Sequence, residues 1–200
     1  DAQITFGVGD GIFFNTIKND PNIDHFETPF FYNVWKKRAR RKTYREKYRE
    51  HDQVFLLDNG TYDWWKPRKH LLDIYAEKCG VSLKERRPII YLNDNDFEEA
   101  KKKLNGLGIS NNDKFLVLSP ETRSKKKMKE WPYDRFLSLI QKIRQNHDFK
   151  IVTLVSKENP YNYDGTIPLK GYPLGPSAAM ISRSNFYLGL DNGLTHIASC

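Results

Sequence analysis

The sequence predicts an α/β protein whose strands form a doubly wound, parallel sheet. In the second half, short apolar runs of strand length at 115–118, 150–155 and 186–190 alternate with stretches of helical periodicity. Glycine turns at 7–11 and 191–193 each follow a short apolar run and precede a helix-like segment. Strands that alternate with helices are typical of parallel sheets with helices on both faces.

Composition restricts the class of protein. The chain has 200 residues, of which 29% are charged, and a formal net charge of +8. Its mean hydropathy is −0.72, and no apolar run approaches the roughly 20 residues that span a bilayer. Cys79 and Cys200 form no metal or disulfide framework, which fits a reducing compartment. We expect a soluble protein with an anionic partner.

The first glycine turn carries Asp10, which lies between a strand at 4–6 and a helix-like stretch that begins near Gly11. A carboxylate at a helix start is stabilised by the helix dipole and stays ionised. Two interpretations remain open at this point. Asp10 is either a simple helix cap or a carboxylate that faces a cleft and acts as a general base.

A dense basic run follows at 36–49, with nine lysines or arginines against one glutamate; it includes Arg40, Arg41 and Arg45. The run is either a solvated helix or a face that docks on phosphates of a substrate or an anionic leaflet. We favour docking, because so many like charges repel one another without an anion. No nucleic-acid-binding module accompanies the run, so we expect no nucleic acid partner.

The stretch after a predicted strand at 54–57 combines tryptophans with basic residues. Trp64 and Lys66 belong to this cluster, which spans 61–70 and precedes a predicted helix at 71–79. Aromatic faces and cations suit a sugar or phosphate acceptor, although a lid over the core is an equal alternative.

A pair of aspartates lies after a predicted strand at 89–92. Asp94 and Asp96 have the spacing of a metal-binding pair, but either makes a good cap for the helix predicted at 97–104. We therefore predict no metal site. The glycine-containing loop that follows predicts a boundary between domains at 1–108 and 109–200.

The last fifteen residues are the most informative stretch, because a strand at 186–190, a tight turn and a helix start follow one another. Free backbone N–H groups and a helix dipole at one point suit a phosphate or pyrophosphate, with His196 in the first helical turn. The alternative is an ordinary turn that Asp191 caps. Thr122, Lys129 and Glu158 also follow strands, and ligands of doubly wound sheets lie beyond the carboxyl ends of the strands.

Three motifs occur in an order that resembles family 9 glycosyltransferases, the bacterial heptosyltransferases of lipopolysaccharide core synthesis. They are VGDG at 8–11, KEWP at 129–132 and DNGLTHIAS at 191–199. The resemblance implies two Rossmann-like domains that face a cleft, the GT-B type. The first domain would take the acceptor and the second the nucleotide-sugar donor.

The resemblance also implies roles for particular residues. Asp10 matches the family's catalytic base. The residues that match donor-binding positions are Thr122, Lys129, Glu158, Asp191, Asn192, Gly193, Leu194 and His196. The residues that we assign to the anionic acceptor are Arg40, Arg41, Arg45, Trp64 and Lys66.

The predicted reaction is inverting transfer of a heptose or similar sugar from a nucleoside-diphosphate sugar to an anionic, lipid-linked saccharide. It requires no metal or other cofactor, because cations and backbone N–H groups stabilise the leaving diphosphate. We expect a cytoplasmic protein, with peripheral contact to the inner membrane as an open question. The alternatives are a binding protein for nucleic acid or anionic glycan, and a nucleotide-sugar epimerase.

Three departures from the family pattern qualify these assignments. The loop at 121–130 is a few residues longer than the family pattern, so Lys125, Lys126 or Lys127 is an alternative to Lys129. The segment after Thr16 lacks a helix and a strand that the family usually has. The chain stops at Cys200 within a predicted helix, so we expect the second domain to be incomplete.

Overall fold

The structure is a computed structural model that describes residues 2–7, 14, 17–27, 46–55, 57, 69–122 and 127–200, apart from the Lys127 side chain. The chain divides into two compact units, 1–30 with 88–200 and 31–87. Within the described residues no helix is both long and apolar enough to cross a membrane. Several predicted site residues lie outside the described residues: Asp10, Arg40, Arg41, Arg45, Trp64 and Lys66.

The larger unit begins with two parallel strands, β1 (Thr5–Gly7) and β2 (His25–Glu27). The Asp24 carboxylate accepts a hydrogen bond of 2.7 Å from the backbone N–H of Ile4, which fixes the start of β1. The strand predicted at 4–6 is confirmed as β1.

The smaller unit contains helix α1 (Leu71–Cys79), as predicted. His70 caps its start, and Gly80 ends it with φ 66°, a conformation that favours glycine. The strand predicted at 54–57 is wrong for the residues that the structure describes there. Val54, Phe55 and Leu57 lie in no strand and are exposed, because an apolar run becomes a strand only where another strand pairs with it.

Helix α2 (Asp94–Gly106) begins one residue earlier than a cap at Asp94 allows and three residues earlier than a cap at Asp96 allows. Asn93 is the cap, and it forms a reciprocal capping box with Asp96. The prediction that Asp94 or Asp96 caps the helix is therefore wrong. The predicted strand at 89–92 is wrong too, since these residues are irregular.

The larger unit is organised around a four-stranded parallel sheet whose strand order is β5-β4-β3-β6. Its strands are β3 (Phe115–Ser119), β4 (Lys150–Val155), β5 (Ile167–Lys170) and β6 (Phe186–Gly189). The helices that accompany them are α3 (Tyr133–Asn146), α4 (Leu174–Arg183) and α5 (Gly193–Ala198). A short 3₁₀ turn, Lys127–Lys129, lies between β3 and α3.

Helices cover both faces of this sheet, which confirms the doubly wound prediction. On one face, Leu104 of α2 and Met180 of α4 pack with Val117 and Val152. On the other face, Phe136 and Ile140 of α3 pack with strand residues. Helix α2 thus packs on this sheet although it precedes the boundary predicted after residue 108, and that boundary stays a prediction.

Strand β5 is the element that sequence patterning missed. It is four residues long and contains Pro168, which weakens a strand prediction. The structure accommodates Pro168 because β5 is the edge strand of the sheet and pairs only with β4 among the described strands.

Candidate functional site

Asn192 joins the loops that follow β3 and β6 at the carboxyl edge of the sheet. Its side-chain oxygen accepts a hydrogen bond of 3.0 Å from the backbone N–H of Thr195 and so caps α5. Its amide nitrogen donates to the Ser119 hydroxyl at 2.9 Å and to the Glu121 carbonyl at 2.6 Å. The interpretation of Asp191 as the cap of this helix is therefore wrong.

We expect Asn192→Asp to destabilise the protein by about 1–3 kcal/mol, because aspartate keeps the cap but has no N–H for the Glu121 carbonyl. Denaturant unfolding at neutral pH measures the change. Asn112→Asp, on an exposed turn before β3, is the matched control and should be close to wild type. Equal stabilities for both variants would contradict the linking role of Asn192.

Lys129, Asp191 and His196 meet beside this link. Lys129 Nζ lies 2.5 Å from Asp191 Oδ2, and His196 Nε2 lies 3.7 Å from Asp191 Oδ1. The hydrogen bond and charge of Lys129 hold the pKa of Asp191 below its usual value, with a smaller contribution from His196. Two of the predicted donor-binding side chains therefore face the carboxylate of a third.

Thr122 also contributes to this cluster, because its hydroxyl donates to the Asp191 carbonyl at 3.2 Å. Gly193 and Leu194 form the first turn of α5, where Gly193 is exposed and Leu194 packs against the core. The structure thus brings together seven of the eight predicted donor-binding residues. Glu158 is exposed in the loop after β4, and its predicted role stays a prediction.

Glu121 is a site residue that sequence reasoning missed. Its carboxylate accepts hydrogen bonds from the hydroxyl of Ser156 at 2.9 Å and from the backbone N–H of Ser156. Because Ser156 directly follows β4 and Glu121 follows β3, this contact ties the two loops together. The available signal was its position, two residues beyond a buried strand.

The close approach of β6 and α5 explains the glycine at 189. The Tyr187 and Thr195 hydroxyls lie 3.0 Å apart, and a Cβ on Gly189 would lie 2.4 Å from the Tyr187 oxygen. Burial raises the pKa of Tyr187, so this phenol stays neutral. Any larger residue at 189 would therefore clash with the Tyr187 and Thr195 side chains.

Aromatic packing orders the loop after β4. Tyr133 and Tyr161 stack with ring centroids 4.6 Å apart, and Tyr163 meets Tyr133 edge-on. Burial raises the pKa of Tyr163 to about 12. The buried Asn159 accepts a 2.9 Å hydrogen bond from the Tyr161 N–H. The loop that carries Glu158 therefore has an internally fixed conformation.

Taken together, the carboxyl edge presents cationic and hydrogen-bonding groups on three connected loops. Lys129 supplies an ammonium group, and the imidazole of His196 adds a charge when it is protonated. Both side chains are exposed. This set of groups suits an anionic ligand with hydroxyls, and a parallel sheet with such loops at its carboxyl edge is Rossmann-like.

Glycosyltransferases are among the solved structures that share this fold. The chain is similar to the glycosyl transferase family 9 structure from Veillonella parvula DSM 2008, with 18% identity, a TM-score of 0.66 and coverage of 98% of this chain and 69% of that one. It is also similar to the E. coli heptosyltransferase WaaC with ADP-2-deoxy-2-fluoro heptose, with 15% identity, a TM-score of 0.53 and coverage of 98% and 75%. The sequence matches no protein-family model and no curated protein.

At these identities the likeness concerns the fold. The predicted fold class is confirmed: the chain is a mixed α/β protein with parallel sheets that matches GT-B-like structures. The resemblance to family 9 glycosyltransferases that the three motifs indicated is confirmed at the level of structure.

Proposed function

We propose that this protein is an inverting glycosyltransferase that moves a heptose or similar sugar from a nucleoside-diphosphate sugar to an anionic, lipid-linked saccharide. The observation that carries the proposal is the convergence of Lys129 and His196 at the carboxyl edge of the parallel sheet. Ligands of doubly wound sheets bind at that edge. The fold shared with glycosyltransferases supports the same conclusion.

In the proposed reaction the sheet-bearing unit binds the donor. The leaving nucleoside diphosphate gains negative charge in the transition state, and Lys129 with protonated His196 stabilises it electrostatically. Asn192 and Thr122 hold the loop that carries Asp191. Glu121 fixes the loop after β4 through its contact with Ser156. The scheme requires no metal ion or other cofactor.

The acceptor side of the proposal comes from the sequence. Asp10 would take the proton from the acceptor hydroxyl as that oxygen attacks the anomeric carbon. The arginines of the basic run, with Trp64 and Lys66, would hold the anionic acceptor. A lipid-linked acceptor places the reaction in the cytoplasm beside the inner membrane, where the basic run would meet anionic lipid.

A nucleoside-diphosphate release assay tests the proposed function. The purified chain is incubated with a panel of nucleoside-diphosphate sugars, with and without a phosphorylated disaccharide as acceptor. We expect acceptor-dependent release with one donor. A nucleotide that raises the melting temperature but is never cleaved would favour a binding protein. A change of the sugar without an acceptor would favour an epimerase.

A further inference from the structure

The lysine of the candidate donor site, Lys129, is already paired with a carboxylate of the same site. Lys129 Nζ lies 2.5 Å from Asp191 Oδ2, and His196 Nε2 lies 3.7 Å from the other oxygen of the same carboxylate. A phosphate that approaches Lys129 therefore meets a carboxylate already bound there. A phosphate bound at Lys129 would be repelled by the Asp191 carboxylate, and competition for one ammonium adds to that repulsion.

The backbone that carries Asp191 is fixed in position. Its carbonyl accepts a hydrogen bond of 3.2 Å from the Thr122 hydroxyl, and the next residue, Asn192, is bound to the loop after β3. Lys129 holds the pKa of Asp191 low, so the carboxylate is ionised at neutral pH. An incoming anion cannot gain Lys129 by moving this segment without breaking those bonds.

The other two acidic residues of this edge form no described ion pair with Lys129. Glu121 accepts both hydrogen bonds of Ser156, and Glu158 is exposed after β4. Among the described ion pairs, Asp191 is the carboxylate that neutralises Lys129. Its effect on an anionic ligand should therefore be separable from the effect of the other two.

We propose that Asp191 is an internal counter-ion that competes with the ligand's phosphates for Lys129 and thereby weakens the retention of a free nucleoside diphosphate. This inference rests on the proposed function. A free nucleoside diphosphate carries more negative charge than the same diphosphate esterified to a sugar, so the repulsion bears more heavily on product than on donor. Asp191 is thus a specificity-determining residue that favours product release.

Binding of inorganic pyrophosphate, measured by calorimetry at low salt, tests the inference without turnover. We expect Asp191→Asn to bind pyrophosphate about two- to fivefold more tightly than wild type, within the range typical of exposed charge pairs. Asp148→Asn is the matched control, because it removes the same charge from an exposed position before β4, at the opposite edge of the sheet. It should leave pyrophosphate affinity within about twofold of wild type.

A double variant shows whether Asp191 acts through Lys129. Asp191→Asn combined with Lys129→Gln should lose most of the gain, since no ammonium remains to be released. Equal or weaker binding by Asp191→Asn overturns the inference, and so does the absence of binding in both wild type and Asp191→Asn. If Asp191→Asn binds more tightly while no nucleotide sugar is turned over, the counter-ion stands and the proposed function fails.

Discussion

Turnover by Asp10→Asn is expected to fall at least about 100-fold, the usual contribution of a positioned general base. Asparagine keeps the size of the side chain and its ability to cap a helix, so stability should hardly change. Donor affinity should also be unchanged, since the proposed donor site lies on the sheet-bearing loops after β3 and β6. Nucleoside-diphosphate release and calorimetry measure the two quantities on the same preparation.

Asp10→Ala distinguishes the base from a simple cap. If Asp10 only caps a helix, alanine should cost about 1 kcal/mol of stability and leave near-normal turnover in the folded protein. If Asp10 is the base, alanine should lower turnover at least as far as asparagine does. Wild-type turnover by Asp10→Asn would end its assignment as the base.

Gly175→Ala is expected to lower the free energy of unfolding by about 1–3 kcal/mol, the typical cost of overpacking. A Cβ at this position in α4 would lie 2.2 Å from Asp96 Oδ1. Asp96 is buried and cannot easily retreat, because its carboxylate accepts the Asn93 N–H in the capping box of α2. Relief of the clash would therefore disrupt the start of α2. Denaturant unfolding measures the change.

Gly106→Ala is the matched control. Nothing lies within 4 Å of a Cβ at this position near the end of α2, so alanine should be neutral or stabilise by up to about 1 kcal/mol through its helix propensity. If the two alanine variants have the same stability, the close packing of α2 and α4 at Gly175 is contradicted.

The sequence predicted the sheet-bearing unit better than the rest because its signals agree. β3 and β4 are apolar runs that become buried on both faces, β6 is an apolar run that is partly buried, and α3 shows a clear 3.6-residue period. β5 escaped prediction because an edge strand tolerates a proline that a central strand would not. The runs at 54–57 and 89–92 failed for the opposite reason: they are apolar, but the structure gives their described residues no strand partner.

Within the candidate site, the identities of the residues were predictable and their partners were not. Motif spacing located Asp191, Asn192 and His196 next to a strand end, yet it could not tell which of two adjacent polar residues caps α5. Asn192 is the cap because its side-chain amide supplies both an acceptor for the Thr195 N–H and a donor for the Glu121 carbonyl. The contact of Glu121 with Ser156 joins residues 35 positions apart, a tertiary contact that no local pattern contains.

The measurement that tests the central claim most directly is the affinity of a nucleoside diphosphate for wild type and for Lys129→Ala. We expect Lys129→Ala to weaken binding by about 1–3 kcal/mol, because it removes a charge-assisted contact and leaves Asp191 unneutralised. Lys114→Ala, exposed just before β3 at the opposite edge of the sheet, is the control and should bind as wild type does. An affinity for Lys129→Ala equal to that of wild type and Lys114→Ala would contradict the assignment of Lys129 to the donor site.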